Sequence, residues 1–422
     1  MKTLEALPAA PGASRQLWVQ VGTLGLCAVL LALRRPDALT TPQMWAEDAL
    51  VFFHDAFRDD VASLWRPNAG YFHTWPRLLA ALSLLFDPKW APTVFAYGAW
   101  AVSIGAVAVV LWARWPGRWW TGVAAAFGLT LAPHYSEEIF LTPTNLQWLL
   151  APVLVALLVT PPMVGRVTGP LWTVFAFLAG LTSPFIVVLV PLMVWRWWSE
   201  RTRPGAAFFG ALAAAALLQG GAILLTGGAA VSAPWGTPLH YLRVTGFRLG
   251  IETFVPEAVW PTPSAAGMAI VGLGVLGLVL YLGWRRGPQR AARIMLALAL
   301  LGFLVTAFYR TRPDVRHLLD PGWGDRYFFS MRVLLVWLLL IVGGETSRRV
   351  IRGAAWALLL LIPFATASRY QAGARADLRW EDFAPAMREG RAVDVPIHPM
   401  GWTYRHPGRS TYPAIVPPAQ SR

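Results

Sequence analysis

Apolar runs long enough to cross a bilayer recur along this chain, and that constrains its fold more than anything else in the sequence. They fall near 16–33, 71–86, 91–113, 118–133, 145–160, 169–182, 184–198, 206–226, 263–284, 291–308, 327–344 and 350–366. Lipid offers the backbone no hydrogen-bond partners, so runs of this composition cross it as helices. With 56% hydrophobic and 14% charged residues in 422, and a mean hydropathy of +0.48, the expected class is an all-α polytopic membrane protein. Its bundle should hold about 11–12 transmembrane helices, several of them shorter than the roughly 20 residues a straight span needs. The bundle is expected over 1–366, with 367–422 a non-membrane extension packed on its outer face. At about 55 residues, that tail buries little core of its own.

Charge placement orients the bundle. The arginine clusters at 196–203 (RWWSERTR), 285–293 (RRGPQRAAR) and 348–352 (RRVIR) mark cytoplasmic loops. They place the segments 227–262 and 309–326 and the tail outside. The net charge of +14 reads as this bias, not as a nucleic-acid surface. With the N-terminus inside, 34–70 is outside, and six runs then lie where an odd number of crossings is needed. One must fail to cross. The short 71–86 run, opened by HTWPR and closed by Asp87-Pro88, is the choice, and 169–182 is the alternative. The first run lacks a small-residue cleavage site and ends in Arg34-Arg35, so it reads as a retained span. One cysteine, Cys27, excludes a disulfide framework and a cysteine metal site. The Ala, Arg, Pro and Trp usage points to a bacterial, GC-rich source, hence to the inner (plasma) membrane.

The stretch 44–77 holds the densest acid cluster: Glu47, Asp48, Asp55, Asp59 and Asp60. Leu50, Phe53, Phe57, Val61 and Leu64 step at helical spacing with the acids on the other face. This predicts a juxtamembrane amphipathic helix. Glu47 and Asp48 sit at its start, where a carboxylate is either a general base for an acceptor hydroxyl or a solvated helix end. His54, Asp55 and Asp59 permit a divalent-metal pair at helical spacing, or are simply exposed; no cofactor is otherwise called for. His73 and Arg77 share a helical face and either bind a phosphate or anchor the helix at the headgroups. Glu137 and Glu138, near His134, Tyr135 and Asn145, form a polar cluster that either faces a substrate cavity or caps the helix beginning near Thr144. The segment 309–327 carries Arg310, Arg316, Asp325, Arg326 and Tyr327 on the outer side. A basic cluster there fits an anionic phosphate, and a local Asp–Arg pair is the plainer reading. Trp45, Trp323 and Trp402 sit in loops where a ring can stack on a sugar. No phosphate-binding loop, dinucleotide fingerprint, zincin or serine-hydrolase motif occurs.

Taken together, WAEDALVFF in the first outer loop, HTWPRLLA, the EE…N…W boundary, LAGLTSPF and GDRYFF resemble the GT-C superfamily of integral-membrane glycosyltransferases. The resemblance implies a helical bundle moving a sugar from a polyprenyl-phosphate or polyprenyl-diphosphate donor to an acceptor hydroxyl on the outer face, with inversion. It implies that Glu47-Asp48 holds the catalytic acid, and that Arg310, Arg316 and Arg326 match the lipid-phosphate ligands by location. The acceptor would be a glycan, lipid or protein of the cell envelope. The chain lacks the soluble outer domain of the larger members, which leaves acceptor recognition to 227–262 and 367–422. A flippase or transporter of a polyprenyl-linked or other anionic lipid is the competing reading, and a non-catalytic membrane scaffold the third.

Overall fold

The computed structural model describes residues 13–136, 138–161, 167–200, 203–227, 231–260, 264–367 and 369–408. Among them, seven helices are long and apolar enough to cross a membrane. These include Ala13–Arg34, Ala91–Trp112, Arg203–Thr226, Ala265–Trp284, Arg290–Arg310, Arg326–Glu345 and Arg349–Ala367. The chain is thus a multi-pass, mainly helical membrane protein. Two helices form its centre. Every residue of Leu146–Val159 is buried, as is every residue from Phe328 to Gly343 of Arg326–Glu345. Other helices wrap them and turn large apolar side chains outward, among them Leu217, Leu224, Leu225 and Phe364. Such an apolar exterior suits lipid and not water.

Where 11–12 crossings are expected, the described residues hold these seven and three shorter apolar helices, Trp120–Leu131, Pro143–Val159 and Thr168–Thr182. The 71–86 run yields only Thr74–Ser83, ten residues, or about 15 Å of helix against a hydrocarbon core of about 30 Å. The 184–198 run is not one span. It breaks into Phe185–Val188 and Val190–Glu200, because Pro191 has no N–H to give the Val187 carbonyl. Ser183, before Pro184, is extended at φ −110, ψ 117, as the residue preceding a proline tends to be.

The stretch after the first helix is not one regular amphipathic helix with its acids on an exposed face. It folds as a π-helical turn Asp48–Phe53, a short α-helix His54–Asp59 and a 3-10 turn Asp60–Trp65. Phe53 and Phe57 are buried as expected, yet Val61 is 68% exposed, while Asp48 and Asp55 are only 2% and 8% exposed. The reason is the tail. Trp380, Met387, Val395, Ile397 and Tyr404 form a second core with Phe52, Phe53 and Phe57. The tail supplies a helix, Trp380–Arg388, and an antiparallel hairpin of β1 (Val393–Ile397) and β2 (Trp402–His406), with Val395 opposite Tyr404. This hairpin is absent from the all-α expectation. Its alternation of Val393, Val395 and Ile397 is the period-2 pattern of a half-buried strand. The tail also reaches the 227–262 segment through an Arg369–Glu257 ion pair. First loop, long loop and tail therefore meet at one end of the bundle.

One close approach fixes the helices behind that end. Gly246 and Gly272 face each other, and a Cβ on Gly272 would overlap the Leu242 carbonyl oxygen, as one on Gly246 would the Met268 oxygen. Backbone cannot rotate away as a side chain can. Gly272→Ala is expected to cost about 1–3 kcal/mol by forcing the helices apart. Gly210→Ala, where nothing lies within 4 Å, should leave the melting temperature unchanged. Equal melting temperatures for the two variants would contradict this contact.

Candidate functional site

The first loop reaches its position by pairing with the tail. The Ala46 N–H donates to the His398 carbonyl at 2.5 Å, and the His398 N–H to that of Met44 at 3.1 Å. Ala46 sits at φ 27, a left-handed conformation that costs about 1–3 kcal/mol in a non-glycine residue and recurs at functional sites. That turn sets the direction of Glu47, and the π-helical turn begins at the next residue. The two acids then part. Glu47 is half-buried and lines a cavity of about 320 Å³. Asp48 lies behind it, where Oδ1 accepts the Thr144 N–H at 2.9 Å. Burial pushes the Asp48 carboxyl well above the usual carboxylate range; the adjacent Glu47 adds to this and the Thr144 N–H opposes it.

The cavity carries both chemistries. Its lining includes polar Glu47, Asn68, Tyr71, Asn145, Gln147, Arg310 and Arg326, and apolar Pro184, Phe185, Val187, Val188 and Ile223. Arg326 is paired with Glu138 and lies 5.3 Å from the Tyr327 ring centre. Arg310 is exposed, and no carboxylate pairs with it among the described residues. The Asn145 Nδ2 donates to the Glu138 carbonyl at 3.1 Å, and the Trp148 Nε1 to the Asn145 Oδ1 at 3.1 Å. These bonds brace the part of the lining that Asn145 and Trp148 form.

Of the residues singled out in the sequence, Glu47, His73, Arg310, Arg326 and Tyr327 line the cavity, and Glu138 reaches it through Arg326. Others do not. Arg77 is fully buried and donates to Asp55 at 3.2 and 3.1 Å, so it is a structural partner and not a phosphate ligand. His73 stacks on Tyr71 at 4.4 Å. Burial brings its pKa down to about 3, so it meets a ligand as a neutral imidazole. Arg316 is exposed on a 3-10 turn away from the cavity wall. Glu137 lies outside the described residues. Among those residues, no three His, Cys, Asp or Glu side chains form a metal-binding group; Asp55 is taken by Arg66 and Arg77. Trp45 lines the cavity under the Arg375 guanidinium, 3.9 Å away, whereas Trp323 and Trp402 are not on its wall.

Asp325 is the largest correction. It is fully buried, and its carboxylate meets Arg332 at 2.7 Å, the His134 Nδ1 at 3.0 Å and the Tyr135 N–H at 2.8 Å. Arg332 also pairs with Glu252, which Arg248 holds at 2.8 Å. Arg248 donates further to the carbonyls of Leu318, Asp320 and Trp323, at 2.9, 2.9 and 2.6 Å. Two arginines thus balance two acids with no exposure, and together they fasten four chain segments directly behind Arg326. Glu252, Arg248 and Arg332 escaped the sequence reading. The available signals were the i, i+4 pair in FRLGIE and an arginine inside an apolar run.

This network is pH-sensitive. Burial pushes Glu252 up to about 7, against the pull of both arginines, and the Asp325 charge adds to the rise. Asp325 itself goes down: burial opposes its charge, but Arg332, His134 and Arg248 outweigh burial. Glu252 therefore stabilises the fold below its ordinary 4.5 and loses that contribution as pH rises through about 7. Asp325 contributes above its ordinary 3.8 and loses that as pH falls. Stability should decline between pH 4.5 and 7 by up to about 1.4 kcal/mol per pH unit from Glu252. Buried Asp48 adds a slope of the same sign. Glu252→Gln should flatten the decline in melting temperature across that window; an unchanged slope would contradict the assignment.

No protein-family model, curated protein or solved structure matches this chain.

Proposed function

We propose that this chain is a GT-C-type membrane glycosyltransferase, moving a sugar from a polyprenyl-phosphate-type lipid to an acceptor hydroxyl at the outer face of a bacterial inner membrane. The observation that supports the reading is that one cavity is lined by Glu47, by Arg310 and Arg326, and by apolar Val187, Val188 and Ile223. Its volume of about 320 Å³ is at the lower end for small-molecule sites. It suits a sugar phosphate whose lipid tail leaves along the apolar lining.

The chemistry follows from that placement. Glu47 accepts the proton of the acceptor hydroxyl as its oxygen attacks the anomeric carbon from the face opposite the phosphate. The new glycosidic bond forms, the bond from carbon to phosphate oxygen breaks, and the anomeric configuration inverts. The phosphate leaves as an anion, and the arginines oppose the charge that develops on it. Asp48 holds the loop and does not touch the reacting atoms. Arg326 is partly neutralised by Glu138, which leaves Arg310 as the stronger attraction for the phosphate.

The testing experiment is an in vitro assay with the purified full-length chain in nanodiscs and a polyprenyl-phosphate sugar. Formation of a glycosidic product supports transfer, whereas movement of intact donor between leaflets without product supports a flippase. Arg310→Gln is expected to raise the donor KM about 10- to 100-fold, the value of one charge-assisted hydrogen bond. Its melting temperature should not move, because no carboxylate depends on it. An unaltered KM would remove Arg310 from phosphate binding.

A further inference from the structure

A second pocket, of about 50 Å³, lies between the end of the Ala13–Arg34 helix, residues 134–136 with Phe140, and residues 369–373. It shares no lining residue with the Glu47 cavity. Arg34, Arg35, Arg369 and Tyr370 line it, and among the described residues no carboxylate does. Two of the three arginines are balanced from outside the pocket, Arg35 by Asp37 at 2.7 Å and Arg369 by Glu257.

Arg34 is different. It is 1% exposed, and no carboxylate pairs with it among the described residues. Its Nη2 donates to the Thr130 and Ala132 carbonyls, both at 2.8 Å, and the Tyr370 hydroxyl is a further polar neighbour, so its partners among the described residues are all neutral. The guanidinium is held between the rings of Phe140 and Tyr370, 4.6 and 4.4 Å from their centres. Carbonyl dipoles and ring faces ease the burial of a cation. They bring no countercharge, and a buried charge without one is strongly disfavoured.

We infer that this pocket binds a small oxyanion of the phosphate class, with Arg34 supplying the charge at its wall and Arg369, 52% exposed, standing at its mouth. The pocket volume admits a phosphate group and little more, so specificity rests on charge and size. A free phosphate and a lipid headgroup present the same oxyanion. The inference does not rest on sugar transfer, since no Glu47-cavity residue takes part.

The test is calorimetric titration of inorganic phosphate into the full-length protein in neutral detergent, paired with melting temperatures in phosphatidylglycerol and phosphatidylcholine nanodiscs. Saturable phosphate heat supports a free anion. A melting temperature higher in phosphatidylglycerol, without phosphate heat, supports a headgroup. In either arm Arg369→Gln should weaken the effect about tenfold or more, as loss of a charge-assisted hydrogen bond does. Arg34→Gln should abolish it; if that variant fails to fold, Arg369→Gln decides alone. Neither phosphate heat nor lipid dependence in the wild type overturns the inference. So does binding that Arg369→Gln leaves intact.

Discussion

Replacing Glu47 with glutamine is expected to lower the rate of sugar transfer about 10²- to 10⁴-fold, the usual worth of a positioned general base. Glutamine keeps the size and polarity of the side chain and removes the proton acceptor. The Glu47 side chain makes no hydrogen bond or ion pair among the described residues, so the melting temperature should stay within the change of a neutral surface substitution, about 0.5 kcal/mol. Asp48 predicts the reverse pattern. Asp48→Ala removes the acceptor of the Thr144 N–H and should cost about 0.5–2 kcal/mol, as loss of a helix-start acceptor does. Transfer should fall only as far as the loop shifts. Initial rates and melting curves on the two variants separate the roles. Equal loss of rate in both, or full activity in Glu47→Gln, would remove Glu47 as the base.

The largest expected effect on stability is at Arg332. Arg332→Met leaves Asp325 and Glu252 fully buried with Arg248 as the one arginine paired to both, beside the His134 and Tyr135 contacts to Asp325. Breaking a buried ion pair on one side costs about 3–5 kcal/mol, because the remaining charge is stranded. The double variant Arg332→Met with Glu252→Gln removes one charge of each sign and should recover part of that loss. The rescue separates stranded charge from lost packing, since packing alone is not repaired by altering Glu252. Activity should follow the same order. Asp325 precedes Arg326 in the chain, and the network anchors the turn from which Arg326 enters the cavity. No recovery in the double variant would show that Arg332 acts by volume alone.

Helical, multi-pass architecture was legible in the sequence because apolar length is a local property of each run. The failure of 71–86 to make a full-length helix was legible too, from its length and Asp87-Pro88. Tertiary partners were not. Asp55 and Arg77 look like a solvated acid and a headgroup anchor until the fold brings them within 3.2 Å. Asp325 reads as an ion pair with its neighbour Arg326, but the helix turn directs it backward to Arg332, seven residues on. Nothing local distinguishes Glu47 from Asp48. Their separation depends on the left-handed turn at Ala46, which the tail imposes through His398 from 352 positions away in the chain. The hairpin in the tail was visible as alternation at Val393, Val395 and Ile397, and its docking on Phe53 and Phe57 was not. Tyr71, Gln147 and Tyr309 on the cavity wall carry no sequence signal of their own.

The most direct measurement of the central claim is photo-crosslinking of the wild-type chain in nanodiscs with a polyprenyl-phosphate analogue bearing a diazirine beside the phosphate, mapped by peptide mass spectrometry. Labels are expected on the peptides holding Trp45–Glu47, Tyr309–Arg310 and Arg326–Tyr327, all competed by unlabelled donor and reduced together in Arg310→Gln. Labels confined to other helices, or labels that unlabelled donor does not displace, would contradict the claim.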